Sequence, residues 1–177
     1  MTELLIGCGQ RRAKLMAWNG NTEWNDLVTL DINPDHEPDV VHDLTVLPLP
    51  FEDNTFDEIH AYEVLEHTGQ QGDWRFFFAQ FSEFYRILKP GGVLMATSPH
   101  YSSPWAWMDP GHTRVMGEEM MVFLNQPAYT AQVGKTPMTD YRFVFKGDFD
   151  LVESTVMPNK QYGYGLQAVK PSRITEV

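Results

Sequence analysis

The apolar positions of this chain fall into short runs, each stopping at a glycine or a carboxylate. They are LLIGCG (4–9), LVTLDIN (27–33), VVHDLTVLPLPF (40–51) and FDEIHAYEVLEH (56–67), and LKPGGVLMATSP follows them. Short apolar runs bounded by turn residues read as buried strands. Between the fourth run and LKPGG the period changes. Trp74, Phe77, Phe78, Phe81, Phe84, Tyr85 and Leu88 recur at helical spacing behind Asp73, a fitting N-cap, which predicts a helix over 74–88. The aromatic stripe of that helix is expected to pack on a sheet, and Lys89-Pro90-Gly91-Gly92 stops it. Strands alternating with a helix predict an α/β fold with a largely parallel sheet.

The remaining segments are placed the same way. A short helix over 11–18 is expected after the glycine turn, then a polar turn over 19–25 and strand two over 27–30. DINPDHEPDV carries two prolines, which forbid a proper helix, so a tight loop is expected before strand three at 40–43. Strand four spans 56–61, a turn or short helix 62–67, and strand five 93–98. Further on, 117–125 reads as a short helix with Met120, Met121, Phe123 and Leu124 as its apolar face. A loop is expected over 126–139, and strands over 143–145, 151–156 and 163–169, the last two as an antiparallel hairpin closing one edge. The whole chain, 1–177, reads as one domain, with 1–99 holding the first five strands and 100–177 the irregular part and closing strands.

Bulk properties narrow the class. The chain has 177 residues, 42% apolar and 21% charged, which suits one globular domain. No run approaches the roughly 20 apolar residues of a membrane span, so no membrane partner is expected. No leader pattern is visible, and the single cysteine, Cys8, cannot form an internal disulfide; a cytoplasmic location is expected. Net charge is −11, with the acids concentrated in the first hundred residues. Such a field repels phosphate backbones, and the one basic cluster, Arg11, Arg12 and Lys14, is small; nucleic acid is a disfavoured partner.

In parallel sheets, ligands bind outside the carboxyl ends of the strands, so residues at successive strand ends describe one pocket. Gly7 and Gly9 allow a sharp turn and close backbone approach to a ligand. The place of a third glycine holds Arg12, which argues against a pyrophosphate on this turn and so against a nicotinamide dehydrogenase. Asp31 ends strand two, where a carboxylate can accept both ribose hydroxyls. Asp43 ends strand three, where it can accept from an adenine amine while the Leu44 backbone meets the ring. Two acids facing one neutral adenosine account for both.

The set LLIGCG, LDIN, HDLTVLPLPF-FDEIHAYEVLEH and LKPGG resembles the class I S-adenosylmethionine-dependent methyltransferases over about residues 4–99. The resemblance implies a doubly wound, mostly parallel seven-stranded sheet in the order 3-2-1-4-5-7-6 with strand seven antiparallel, and S-adenosyl-L-methionine as cofactor. It further implies that Gly7 and Gly9 line the methionine part, that Asp31 with neighbouring Ile32 holds the ribose, and that Asp43 and Leu44 frame the adenine. Tyr62 and Glu63 then lie near the sulfonium, and His67 by the methionine end or the substrate mouth. Arg11 or Arg12 either pairs with the methionine carboxylate or is a solvated surface arginine. The chain departs from the family pattern at Leu5, which replaces an acid, at Arg12, and in lacking a helix between strands two and three.

Methyl transfer from a sulfonium needs mainly alignment and exclusion of water, with a general base when the nucleophile carries a proton. Candidates lie in SPHYSSPWAWMDPGHTR. His100 follows strand five; His112 sits in an Asp-Pro-Gly-His turn with Asp109 to orient it. Tyr101, Trp105 and Trp107 are expected to wall an acceptor pocket or to pack against a cation. No metal is expected, because the spacing of His100, Asp109 and His112 matches no standard ligand pattern. The expected activity is methyl transfer to a small-molecule or sugar-like, non-nucleic acceptor. The alternative is a protein that binds the cofactor, or its demethylated product, with weak transfer activity or none.

Overall fold

The strands predicted from the apolar runs pair into one sheet in the order β3-β2-β1-β4-β5-β7-β6. A computed structural model describes residues 1–157 and 163–172. The strands are β1 (Thr2–Ile6), β2 (Asp26–Asp31), β3 (Val40–Val41), β4 (Phe56–Tyr62), β5 (Leu88–Pro99), β6 (Asp150–Met157) and β7 (Gly163–Val169). Neighbours from β3 through β5 are parallel, while β7 runs antiparallel to both β5 and β6. This is the sheet order that the family resemblance implies. Helix α1 (Trp74–Ile87) begins at Asp73, whose side chain accepts a hydrogen bond from the Phe76 amide, and runs directly into β5. Among the described residues no helix is long and apolar enough to cross a membrane.

Strand alternation gives the sheet two unlike faces. Leu4 and Ile6 of β1 and Ile59 and Ala61 of β4 join the aromatic stripe of α1, Phe77, Phe78, Phe81 and Phe84, in one buried core. The intervening residues of β1 and β4 are polar except for Leu5: Glu3 pairs with Glu58 in register, and Leu5 with His60. All four are buried.

The helix expected over 11–18 is absent. That segment instead lies across the polar face, and the buried carboxylates explain why. Lys14 Nζ is 3.0 Å from Glu3 Oε1 and 2.9 Å from Glu58 Oε2, the three side chains being 1%, 0% and 2% exposed. The Tyr62 hydroxyl accepts from the Leu15 and Met16 amides, the Asn25 amide donates to Glu3, and the Trp24 ring meets His60 edge-on at 4.8 Å. An eight-residue segment has little helical stability of its own. Pairing two desolvated carboxylates outweighs it.

Two further expectations fail beyond β5. Residues 126–139 are not all loop: α3 (Gln126–Gln132) starts at Asn125, whose side chain accepts from the Ala128 amide, with Pro127 in its first turn. Residues 143–145 form a turn rather than a strand, because Phe145 is drawn into the core, its ring 5.7 Å from that of Phe78. A short helix, α2 (Trp105–Met108), precedes the Asp-Pro-Gly-His turn. The apolar face over 117–125 forms a 3-10 helix, Glu118–Leu124, with Met121 and Leu124 buried.

Candidate cofactor and acceptor site

The glycine turn after β1 adopts left-handed backbone at Gly7 (φ 60°) and Gly9 (φ 53°). A Cβ on Gly7 would stand 2.4 Å from Val64 Cγ2, whereas one on Gly9 would meet nothing within 4 Å. Gly7 is therefore required for packing against the turn after β4, and Gly9 opens onto a cavity. The Gly9 amide donates to Asp31 Oδ2 and the Asn33 amide to Asp31 Oδ1, both at 2.8 Å. Burial pushes the Asp31 carboxyl up, but the Asn33 and Gly9 amides more than offset it and hold it below the ordinary carboxylate range. Asp31 thus ties the glycine turn to the end of β2. Asp43 is held down by the Thr45 amide and hydroxyl, which both donate to Oδ1 at 2.8 Å. That leaves Oδ2 as an open acceptor.

Two cavities flank the turn and share Gly7 and Gly9. The first, of about 330 Å³, has apolar walls from Leu30, Leu44 and Val64 and polar groups from Asp31, Asp43 and His67, with Ile32 at its edge. The second, of about 470 Å³, is lined by Leu5, Arg11, Tyr62 and Glu63. Apart from Arg12, which donates to the His36 and Glu37 carbonyls instead, every residue that the resemblance assigned to the cofactor lines one cavity or the other. The first suits a nucleoside in its chemistry: aliphatic walls with two carboxylate acceptors. The second offers a cation and an anion, Arg11 and Glu63, for the two charges of an amino acid. With no helix after the turn, no helix N-terminus serves the carboxylate; exposed Arg11 is the basic group at that place.

Tyr62 is shared with the buried network. Its hydroxyl lies 2.5 Å from His60 Nδ1, and His60 Nε2 is 2.9 Å from Glu58 Oε2. Burial, aided by the Lys14 charge, lowers the His60 pKa to about 3, so the ring is neutral at physiological pH. Burial likewise pushes Tyr62 up to about 12.

The acceptor-side candidates separate. His100 follows β5, its Nδ1 2.7 Å from Ser102 Oγ and its ring 4.1 Å from Tyr101, in a recess with Glu118, Glu119 and Ser154. His112 lies elsewhere, its ring 4.6 Å from that of His67. The Trp105 carbonyl, 2.8 Å from Nδ1, orients it; Asp109 Oδ2 is 3.9 Å from Nε2, too far for a hydrogen bond. Trp105, Trp107 and Tyr101 are more than half exposed rather than lining an enclosed pocket. The aromatic recess is instead built by Trp74, Phe77, Phe78, Phe123 and Tyr141, with Arg114 at its edge. Arg114 is buried between Phe76 and Phe77, and neither Nη atom has a hydrogen-bond partner. Such a group can pair with an anion, and sequence reasoning passed over it.

Glu66 was also passed over, although it adjoins His67 in the same motif. Its side chain is 2% exposed, neither oxygen is hydrogen-bonded, and burial pushes its pKa up to about 8, helped by nearby Glu63 and Asp109. The unfolded chain releases this proton above about 4.5, whereas the folded protein keeps it until about 8. This group therefore removes stability as pH rises through that window, by at most about 1.4 kcal/mol per pH unit. Glu66→Gln is expected to unfold at a higher urea concentration than the parent at pH 8, with the difference vanishing below pH 4.5. A difference that does not depend on pH would mean Glu66 titrates normally.

Comparisons with known proteins agree with this geometry. A family model described as "Methyltransferase domain" matches residues 4–96. No curated protein matches the sequence. Among solved structures, a chain of the Haloferax volcanii complex containing the Trm112 methyltransferase activator is similar at TM-score 0.60. It is 17% identical, with 96% of this chain and 82% of that chain covered. The N-methyltransferase NodS from Bradyrhizobium japonicum gives TM-score 0.57 at 18% identity, covering 96% and 85%, and that protein has also been solved with S-adenosyl-L-homocysteine. The [4+2]-cyclase SpnF gives TM-score 0.58 at 16% identity, covering 97% and 75%. At these identities the structures establish the fold alone. The family match spans more than half the chain, from β1 into β5, and includes every residue that lines the two cavities, so the chain belongs to the class I S-adenosylmethionine-dependent methyltransferases.

Proposed function

We propose that the protein transfers the methyl group of S-adenosylmethionine to a small-molecule or sugar-like, non-nucleic acceptor in the cytoplasm. The observation that carries this reading is the convergence of ten sequence-assigned residues on two cavities joined at Gly7 and Gly9. Asp31 accepts the ribose hydroxyls, and Asp43 with Leu44 frames the adenine. Arg11 and Glu63 meet the charges of the methionine part, and Tyr62 and His67 border the sulfonium. The cofactor brings an already activated methyl group. The protein's work is to align the acceptor and exclude water, and His100 takes the acceptor's proton where one must leave. The net charge of −11 supports a non-nucleic acceptor.

Titrating S-adenosyl-L-homocysteine while following the melting temperature tests the cofactor assignment, since a ligand specific to the native state raises it by mass action. A rise with this ligand and none with NAD is expected; no rise at millimolar ligand would sink the reading. A second reading, cofactor binding without transfer, is favoured by the missing helix after the glycine turn. The cyclase SpnF has a similar fold under the name of another activity, and fold alone does not fix function. Turnover of S-adenosylmethionine with a panel of acceptors separates the two. With an accepted substrate, His100→Ala should bind cofactor as the parent does and transfer methyl at least about tenfold more slowly. Unchanged transfer would leave His100 a packing residue.

A further inference from the structure

We propose that Glu66, His67 and His112 form a binding site for one divalent transition-metal ion of the zinc class. One ligand atom from each lies within 4.8 Å of the others. The protonation pattern suits an ion. His67 Nδ1 is 3.0 Å from the Gly111 carbonyl oxygen, and His112 Nδ1 is 2.8 Å from that of Trp105. A carbonyl only accepts, so each neutral ring carries its proton on Nδ1 and presents a bare lone pair on Nε2. Holding the far N–H on a backbone carbonyl is how proteins fix the tautomer and aim of metal-binding histidines.

The carboxylate supplies an independent observation. Glu66 is 2% exposed, and both of its oxygens lack hydrogen bonds. Basic groups lie near it: His112, with Nε2 4.0 Å from Oε1, and His67 within 4.8 Å. A buried, unpartnered carboxylate is a costly group to retain, and a cation between it and the two rings removes the cost. Asp109 Oδ2, 3.9 Å from His112 Nε2, adds a second acid at the rim.

The backbone holds these groups together although 46 residues separate Glu66 from His112. The Thr113 and Arg114 amides both donate to the Glu66 carbonyl, at 3.0 and 3.2 Å. Tetrahedral ligands at about 2.0–2.1 Å from an ion stand about 3.3 Å apart. The long Glu66 side chain, whose oxygens no hydrogen bond holds in place, is the group that has to close the remaining gap. Two imidazoles and one carboxylate select zinc or cobalt over magnesium or calcium, which prefer oxygen. Three protein ligands leave a fourth position open, and His67 lines the cavity that also holds Asp31, so solvent and ligands can reach it. This assigns His112 a ligand role in place of the proton-accepting one expected from sequence. The site stands whether or not the acceptor assignment holds.

The test is titration of chelator-treated protein with Zn2+ by calorimetry and with Co2+ by visible absorption, near neutral pH. One ion per chain is expected, with the Co2+ bands of a low-coordinate nitrogen-oxygen site and a melting temperature raised by Zn2+. Glu66→Gln and His112→Ala should each weaken binding by at least about tenfold. Glu66→Gln keeps the shape of the side chain, so its melting temperature without metal separates lost ligation from lost folding. If His112→Ala does not fold, the exposed His67→Gln carries the same test. Absence of saturable binding overturns the proposal, and so does tight binding that survives Glu66→Gln and His67→Gln.

Discussion

Lys14→Ala is expected to lower the unfolding free energy by about 3–5 kcal/mol, the cost of leaving buried charge without its partner. Lys14 Nζ bridges Glu3 and Glu58, which face each other on adjacent strands, and all three side chains are at most 2% exposed. Among the described residues neither carboxylate has another cation of comparable reach, since His60, 2.9 Å from Glu58 Oε2, is neutral. Glu3 is pushed up by burial but brought below its ordinary range by Lys14 and Asn25, whereas burial dominates at Glu58 and holds it up. Without the ammonium, one or both carboxyls must take up a proton or draw in water. Urea denaturation measures the loss. Glu58→Gln in the same background should recover part of it, because it removes one of the two orphaned charges. A loss below about 1 kcal/mol would mean that the segment across this face moves away freely and that the carboxylates are simply solvated.

Asp31→Ala should weaken S-adenosyl-L-homocysteine binding by at least tenfold, about 1.4 kcal/mol. Two effects combine. The carboxylate that the proposed function gives to the ribose is lost, and hydrogen bonds to a charged group are worth more than neutral ones. The Gly9 and Asn33 amides also lose their shared acceptor, so the turn between the two cavities is no longer held against β2. Asp31→Asn keeps one acceptor oxygen and should fall between parent and Ala. Calorimetric titration reads both variants, and unchanged affinity in Asp31→Ala would remove the ribose assignment.

What could be read directly from the chain was local in origin. The strand ends, the α1 stripe with its Asp73 cap and the β6–β7 hairpin follow from periodicity and turn residues within short windows. The ten residues assigned through the family resemblance line two adjoining cavities because a parallel sheet carries successive strand ends to one edge. The failures share one cause. RRAKLMAW reads as a helix only in isolation; carboxylates from β1 and β4, 55 residues apart in Glu3 and Glu58, meet on one sheet face and draw Lys14 between them. Phe145 left a strand-like run to fill the core beside α1. Glu66, His67 and His112 looked like parts of two unrelated turns until the Glu66 carbonyl bonded the backbone after His112. Periodicity and turn chemistry thus determined the elements and their order, because both act between near neighbours. Only the folded chain decided where buried charge sits and what accompanies it, because desolvation depends on everything that packs around a group.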